Sequence, residues 1–328
     1  MLVKSMKIFS LVIAVIIAIS SFVYVYIGWD DIPFDSTIKS TAPGKYVKLT
    51  DGDIHYQWFE PNSKKANGEI VVMSHGYAVP GFMFNQTATM LSDDGYRVLV
   101  FDHFGHGFSD RPEGPYNSVF FEREVLELLD SLKIYSPVIM VGQSMGGLIA
   151  SNFTANHPKR IKKLALFVPA GLRMVESENK GLVDLLGVPV IGQWIFRIVG
   201  RASMLEKKER PCKTCGDGKI DGDIYHQADF EGYFESMKDI LVEFPMTGQD
   251  HIYKKLGKVE IPMYAIFADK DELVKLESAE LFNILVPHAK ISIVKNSDHA
   301  VHVRQWEKVG KLLIDWLSTN QLHGLSEI

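Results

Sequence analysis

The chain has 328 residues, of which 46% are hydrophobic and 23% charged, and its formal charge at neutral pH is −5. That balance allows an ample core and excludes a disordered or collagen-like chain. No basic excess favours a nucleic-acid partner, and two cysteines are too few for a disulfide scaffold.

Ile8 to Ile27 is a run of twenty residues without a charge. As a helix it would be about 30 Å long, enough to cross the hydrocarbon core of a bilayer. Lys4 and Lys7 precede it and Asp30 and Asp31 follow, so the positive-inside rule keeps the N-terminus cytoplasmic and the rest outside. Tyr24, Tyr26 and Trp29 suit an interfacial aromatic belt. A secretory signal cleaved near Ala18-Ile19-Ser20, leaving a secreted or periplasmic protein, is the alternative, but the apolar run continues past that point.

Tyr46 to Glu60 reads as a hairpin with its turn at Asp51-Gly52-Asp53. Short runs that are apolar on both faces follow at Ile70–Met73, Val98–Phe101, Val138–Val141, Leu164–Val168, Met263–Phe267 and Ile291–Val294. Such runs suit strands of a parallel sheet covered from both sides. Helical patterns lie between them at Phe120–Leu132, Met145–Ala155, Leu276–Leu285 and Arg304–Leu317. This alternation predicts an α/β fold with a doubly wound, mostly parallel sheet. It breaks between Val168 and Ile261: Gly181–Leu205 is strongly apolar, Lys207–Asp229 is polar and turn-rich, and Phe230–Phe244 is helical again. The expected organisation is a membrane anchor or signal segment (1–28), a first core part (29–171), a helical cap insertion (172–258) and a second core part (259–328).

Gly142-Gln143-Ser144-Met145-Gly146 lies between a predicted strand and a predicted helix, the setting of a G-x-S-x-G nucleophile elbow. A bare serine needs a base. His299 follows the last strand and precedes the last long helix, and Asp271, just past the strand ending at Phe267, can orient it; Asp269 is the rival acid. The chain order Ser, Asp, His and the placement after carboxyl ends of strands fit a triad in an open sheet. The loop Ser74-His75-Gly76-Tyr77 can aim the N–H of Tyr77, together with that of Met145, at an oxyanion, while His75 shapes the loop.

With these residues in view, the chain from about Tyr46 to Leu317 resembles a capped α/β-hydrolase of the monoacylglycerol-lipase-like or meta-cleavage-product-hydrolase-like branch. The matching motifs are His75-Gly76, the Asp102–Asp110 loop, the Ser144 elbow, the Asp271 segment and His299. The resemblance implies Ser144 as nucleophile, His299 as base, Asp271 as its orienter, and Tyr77 and Met145 as oxyanion donors. It implies cleavage of carboxylic esters, apolar or lipid-like. A C–C bond hydrolase is the alternative, and a non-catalytic binding protein a remote third. No cofactor or metal is implied. Ala268 and Asp298 stand where relatives commonly carry glycine, and Asp298 could perturb His299.

Other signals carry less. Cys212 and Cys215 could close a small disulfide if exported. A calcium loop at Asp217–Ala228 fails at Lys219 and Ala228. His103-x-x-His106 and His299-x-x-His302 lack the glutamate of a zinc-protease helix. Of the sequons at Asn85 and Asn152, the second falls on a packed helix.

Overall fold

The computed structural model describes residues 2–27, 31–174, 185–202, 224, 226–319 and 324–327. The expectations for Trp29, Cys212, Cys215 and the first part of the candidate calcium loop lie outside these residues.

The apolar N-terminal run forms one helix, α1 (Leu2–Ile27). Its Ser5–Tyr26 portion is long and apolar enough to cross a membrane. From Ser5 to Ile19 every residue is exposed; near the far end Ser20, Val23 and Tyr24 are partly covered.

The hairpin is β1 (Lys45–Lys48) and β2 (Asp53–Phe59), closed by the N–H of Leu49 donating to Gly52 O at 2.8 Å. The apolar runs become β3 (Ile70–Ser74), β4 (Arg97–Phe101), β5 (Val138–Gln143), β6 (Ile161–Phe167), β7 (Met263–Ala268) and β8 (Lys290–Val294). A further strand, β9 (Gly324–Glu327), pairs parallel with β8. Among the described residues the order is β1-β2-β4-β3-β5-β6-β7-β8-β9, antiparallel at the hairpin end and parallel from β4 onward. The chain runs from β3 to β4 on one side and returns to place β5 on the other. The loops after β3 and β5 therefore diverge and leave a crevice at the carboxyl ends of these strands.

Alternate strand residues serve different layers. Val72, Leu99, Met140, Leu164 and Phe267 share one core with α3 (Ser118–Ser131), α4 (Met145–Asn156), α7 (Asp250–Leu256) and α8 (Glu277–Leu285). Val71, Val100, Val141 and Ile266 face a second core under α2 (Asn85–Asp93) and α9 (Trp306–Ser318). At α3 the Asn117 side chain accepts from the N–H groups of Val119 and Phe120, the usual way to satisfy orphan donors at a helix start. The helix expected over Arg304–Leu317 forms, beginning two residues later, at Trp306. A turn, Val301–Arg304, ends at Gln305 (φ −123°), and α9 begins after it.

Between β6 and β7 the chain leaves the sheet. The described part of this excursion holds α5 (Ile191–Ile195), which runs into a π-helical turn at Phe196–Gly200, and then α6 (Tyr233–Glu243) and α7.

Candidate active site

Ser144 occupies the residue between β5 and α4, with φ 52° and ψ −118°. Few side-chain-bearing residues adopt such angles, and holding one there costs about 1–3 kcal/mol. The surroundings impose it. The N–H of Ser144 donates to Phe167 O at 3.0 Å, and Ser144 O accepts from Ala170 N at 3.0 Å, so the end of β6 pins the elbow. Two glycines let the backbone close up: a Cβ on Gly142 would lie 2.5 Å from Gly146 O, and one on Gly146 would lie 2.2 Å from Ser74 O. Ser144 stands at the helix N-cap position, yet its hydroxyl caps nothing.

That hydroxyl instead meets His299. Ser144 Oγ lies 2.9 Å from His299 Nε2, and His299 Nδ1 lies 2.8 Å from Asp271 Oδ2. A carboxylate only accepts, so Nδ1 carries the proton and the Nε2 lone pair faces the serine. The other Asp271 oxygen accepts from the N–H groups of Leu273 (2.8 Å) and Val274 (2.9 Å), and this carboxylate is almost fully buried. The three side chains come from the loops after β5, β7 and β8. Asp269, the rival acid, turns elsewhere: its Oδ1 accepts from Ser297 N at 3.1 Å. Asp298 also points away from the imidazole, engaged by Ala300 N at 3.0 Å and by Arg304.

Tyr77 and Met145 border the serine from two sides. A Cβ on Gly76 would meet Ser144 Cβ at 3.3 Å, which puts the Tyr77 loop against the elbow. Met145 is the first residue of α4, where helix geometry leaves the N–H without an intrahelical acceptor. Neither N–H donates to a backbone or side-chain acceptor among the described residues. The excursion after β6 holds the loop from above. Ala78 O accepts from Gln227 Nε2 (3.0 Å) and from the Tyr233 hydroxyl (3.2 Å), and the Tyr77 hydroxyl donates to Met237 O at 2.9 Å.

Several buried groups behind the site were not singled out as functional from the sequence. His75 Nδ1 donates to Gly76 O (2.8 Å) and its Nε2 accepts from His103 N (2.9 Å), which fits the loop-shaping role expected of it. Burial, with the nearby His103, pushes its imidazole down to about 3. His103 pairs with the buried Glu124, and its Nε2 lies 2.7 Å from Ser74 Oγ, which in turn donates to Gly146 O at 3.2 Å. A polar chain thus runs from α3 to the elbow. Its sequence signal is Glu124 itself, a carboxylate amid the apolar stripe of Phe120, Phe121, Val125 and Leu128. Asp102 accepts from Gly81 N, Phe108 N and His55 Nδ1. Burial alone would raise its carboxyl, but the bond and charge of His55 hold it well below the usual carboxylate range. Gln143 Nε2 lies 3.4 Å from His299 Nε2.

A family model described as "alpha/beta hydrolase fold" matches residues 69–186. The chain has the α/β-hydrolase fold. Solved α/β structures agree over most of its length. The esterase EaEST from Exiguobacterium antarcticum superposes with a TM-score of 0.68 at 21% identity, covering 84% of this chain and 100% of the esterase. A meta-cleavage product hydrolase from Pseudomonas fluorescens gives 0.64 at 21% identity, covering 84% and 97%. In sequence this chain is similar to monoacylglycerol lipase abhd6-B of Xenopus laevis, 26% identical over 292 residues that span 85% of this chain and 84% of the lipase.

Proposed function

We propose that the protein is a serine hydrolase of carboxylic esters with apolar, lipid-like acyl groups, anchored by α1 with its N-terminus in the cytoplasm and its catalytic part outside. The observation that carries this reading is the unbroken hydrogen-bond chain Ser144 Oγ, His299, Asp271. His299 Nε2 takes the hydroxyl proton as Oγ attacks the ester carbonyl, and Asp271 stabilises the imidazolium that forms. The N–H groups of Tyr77 and Met145 receive the oxyanion, each worth on the order of 3 kcal/mol in the transition state. The imidazolium returns its proton to the departing alcohol. Water then attacks the acyl-enzyme with His299 again as base, releasing the acid and freeing Ser144. The apolar stretch Gly181–Leu205 in the sequence favours an acyl chain over a polar substrate. The names of similar proteins, a monoacylglycerol lipase and an esterase, point the same way.

The test is Ser144→Ala on the full chain, assayed with p-nitrophenyl esters of graded acyl length beside a vinylogous diketone. Ester turnover is expected to fall by on the order of a millionfold, as when triads elsewhere lose the nucleophile, with little change in the thermal melt. Retained ester hydrolysis rejects the assignment, and diketone cleavage without ester cleavage moves the chemistry to C–C bonds.

A further inference from the structure

The segment that carries α5 lacks a water-facing side. From Leu185 to Gly200 the only polar side chains beside the Trp194 indole are Gln193 and Arg197. Leu186 and Phe196 pack into the core, which accounts for the inner face. The outer face should then be polar in a water-soluble domain. It is not: Leu185, Val188, Val190, Ile191 and Val199 are all exposed, Val190 by 82%. An exposed apolar patch of this kind marks a surface with a partner.

The structure also fixes where this segment sits relative to α1. The Trp194 indole N–H donates to Ser20 O at 3.1 Å. Ser20 lies six residues short of Tyr26, where the apolar span ends, so this contact is about 9 Å inside the end of the span. Beside it the Arg197 guanidinium lies 4.7 Å from the Tyr24 ring and pairs with Asp31 at 2.5 Å, and Arg201 also pairs with Asp31. Ser20, Val23 and Tyr24, spaced by three and four, are the side of α1 that this contact covers. Arginine, tyrosine and tryptophan are the residues that populate the boundary between headgroups and acyl chains.

We infer that the outer face of residues 185–199 is buried in the bilayer leaflet into which the C-terminal end of α1 emerges, so that the molecule holds its membrane by a spanning helix and a second, monotopic contact. The depth set by Trp194 matches the roughly 5–10 Å at which interfacial helices bury their apolar faces. Val190, Ile191 and their neighbours then contact acyl chains, while Arg197 and Arg201 stay at the headgroup level with Asp31.

This inference rests on the reading of α1 as a membrane span, and one experiment separates the two. A tryptophan is introduced into the full chain at Val190, or at Ile191 as a second site; a third variant carries it at the exposed Tyr135 on the α3–β5 connection, and a fourth at Ile16 in α1. Each is reconstituted in phosphatidylcholine vesicles with or without a mixture of lipids brominated at upper and at terminal positions of the acyl chain, so that bromine samples the whole apolar layer. The added fluorescence is obtained by subtracting the parent chain. It is expected to fall by roughly half or more at 190, 191 and 16, and to be unchanged at 135, because bromine quenches an indole only within the apolar layer. No quenching at 190 and 191 with quenching at 16 overturns the inference and leaves the anchor standing. No quenching at 16 overturns the anchor and the inference together. Quenching at 135 equal to that at 190 overturns the assignment to this face.

Discussion

Asp271 does more than neutralise a charge. One of its oxygens is occupied by the N–H groups of Leu273 and Val274, which leaves only the other for His299. In Asp271→Asn those two donors would claim the amide oxygen and turn its NH2 toward Nδ1. The imidazole would then carry its proton on Nε2 and could not accept from Ser144. A fall in kcat of about 10⁴-fold is expected at neutral pH, in line with the same change in other triads. The thermal melt should move little; near-normal kcat in a steady-state assay would contradict this account. His302 offers a residue-scale test of a different kind. Both its ring nitrogens are buried without a partner, and the ring packs on Phe84 at 5.3 Å. Burial, reinforced by His299, pushes its imidazole down to about 3 from the ordinary 6.5. A depressed histidine is protonated in the unfolded chain before it is in the folded one. Its contribution to stability is therefore greatest above pH 6.5 and shrinks as the pH falls toward 3, by about 1.4 kcal/mol per unit. His302→Phe keeps the ring and removes the proton, so urea unfolding should show a shallower pH slope below 6.5, the difference approaching that amount by pH 5. An unchanged slope would show that His302 takes up no proton on unfolding.

At the scale of elements, the loop after β3 is fixed by residues far along the chain. Gln227 donates to Ala78 O and accepts from Gly107 N at 2.6 Å, joining the Tyr77 loop to the Asp102–Asp110 loop. Gln227→Ala leaves the buried Gly107 N–H unpaired, a cost of about 1–3 kcal/mol, and leaves Ala78 O with the Tyr233 hydroxyl alone. It also frees the loop that carries Tyr77, so kcat should fall on the order of tenfold or more while KM changes less. Equal kcat in the variant would mean that the loop is held elsewhere. These long-range ties also explain what the sequence could and could not reveal. The strands at Ile70, Val98, Val138, Leu164, Met263 and Ile291 were legible because both faces are buried and the runs are apolar throughout. The geometry expected of Ser144, Asp271 and His299 was legible because the elbow has a local glycine signature and the other two follow strand ends. The helix Asn85–Asp93 and the strand Gly324–Glu327 were not, since neither carries a strong apolar period. Nor was the chain from Glu124 through His103 and Ser74 to Gly146, because its members lie tens of residues apart and only the fold brings them together.

For the molecule as a whole, the proposal makes α1 the anchor that sets the partition between water and lipid. Its exposed surface from Ser5 to Ile19 is apolar apart from Ser5, Lys7 and Ser10. A spanning helix is not released by removing charge attraction, whereas a peripheral protein is. Washing membranes with alkaline carbonate should therefore leave the protein in the pellet, and a detergent should be needed to extract it. Its appearance in the carbonate supernatant would mean that the segment had been cleaved or does not span.

The residues that meet at the elbow are made at very different times. His299 leaves the ribosome 155 residues after Ser144, a lag of roughly ten seconds or more at ordinary rates of synthesis. α1 emerges before either of them. On the proposed reading α1 can thus reach its bilayer while the serine is still chemically inert, and the triad is complete only once about nine-tenths of the 328 residues have been translated.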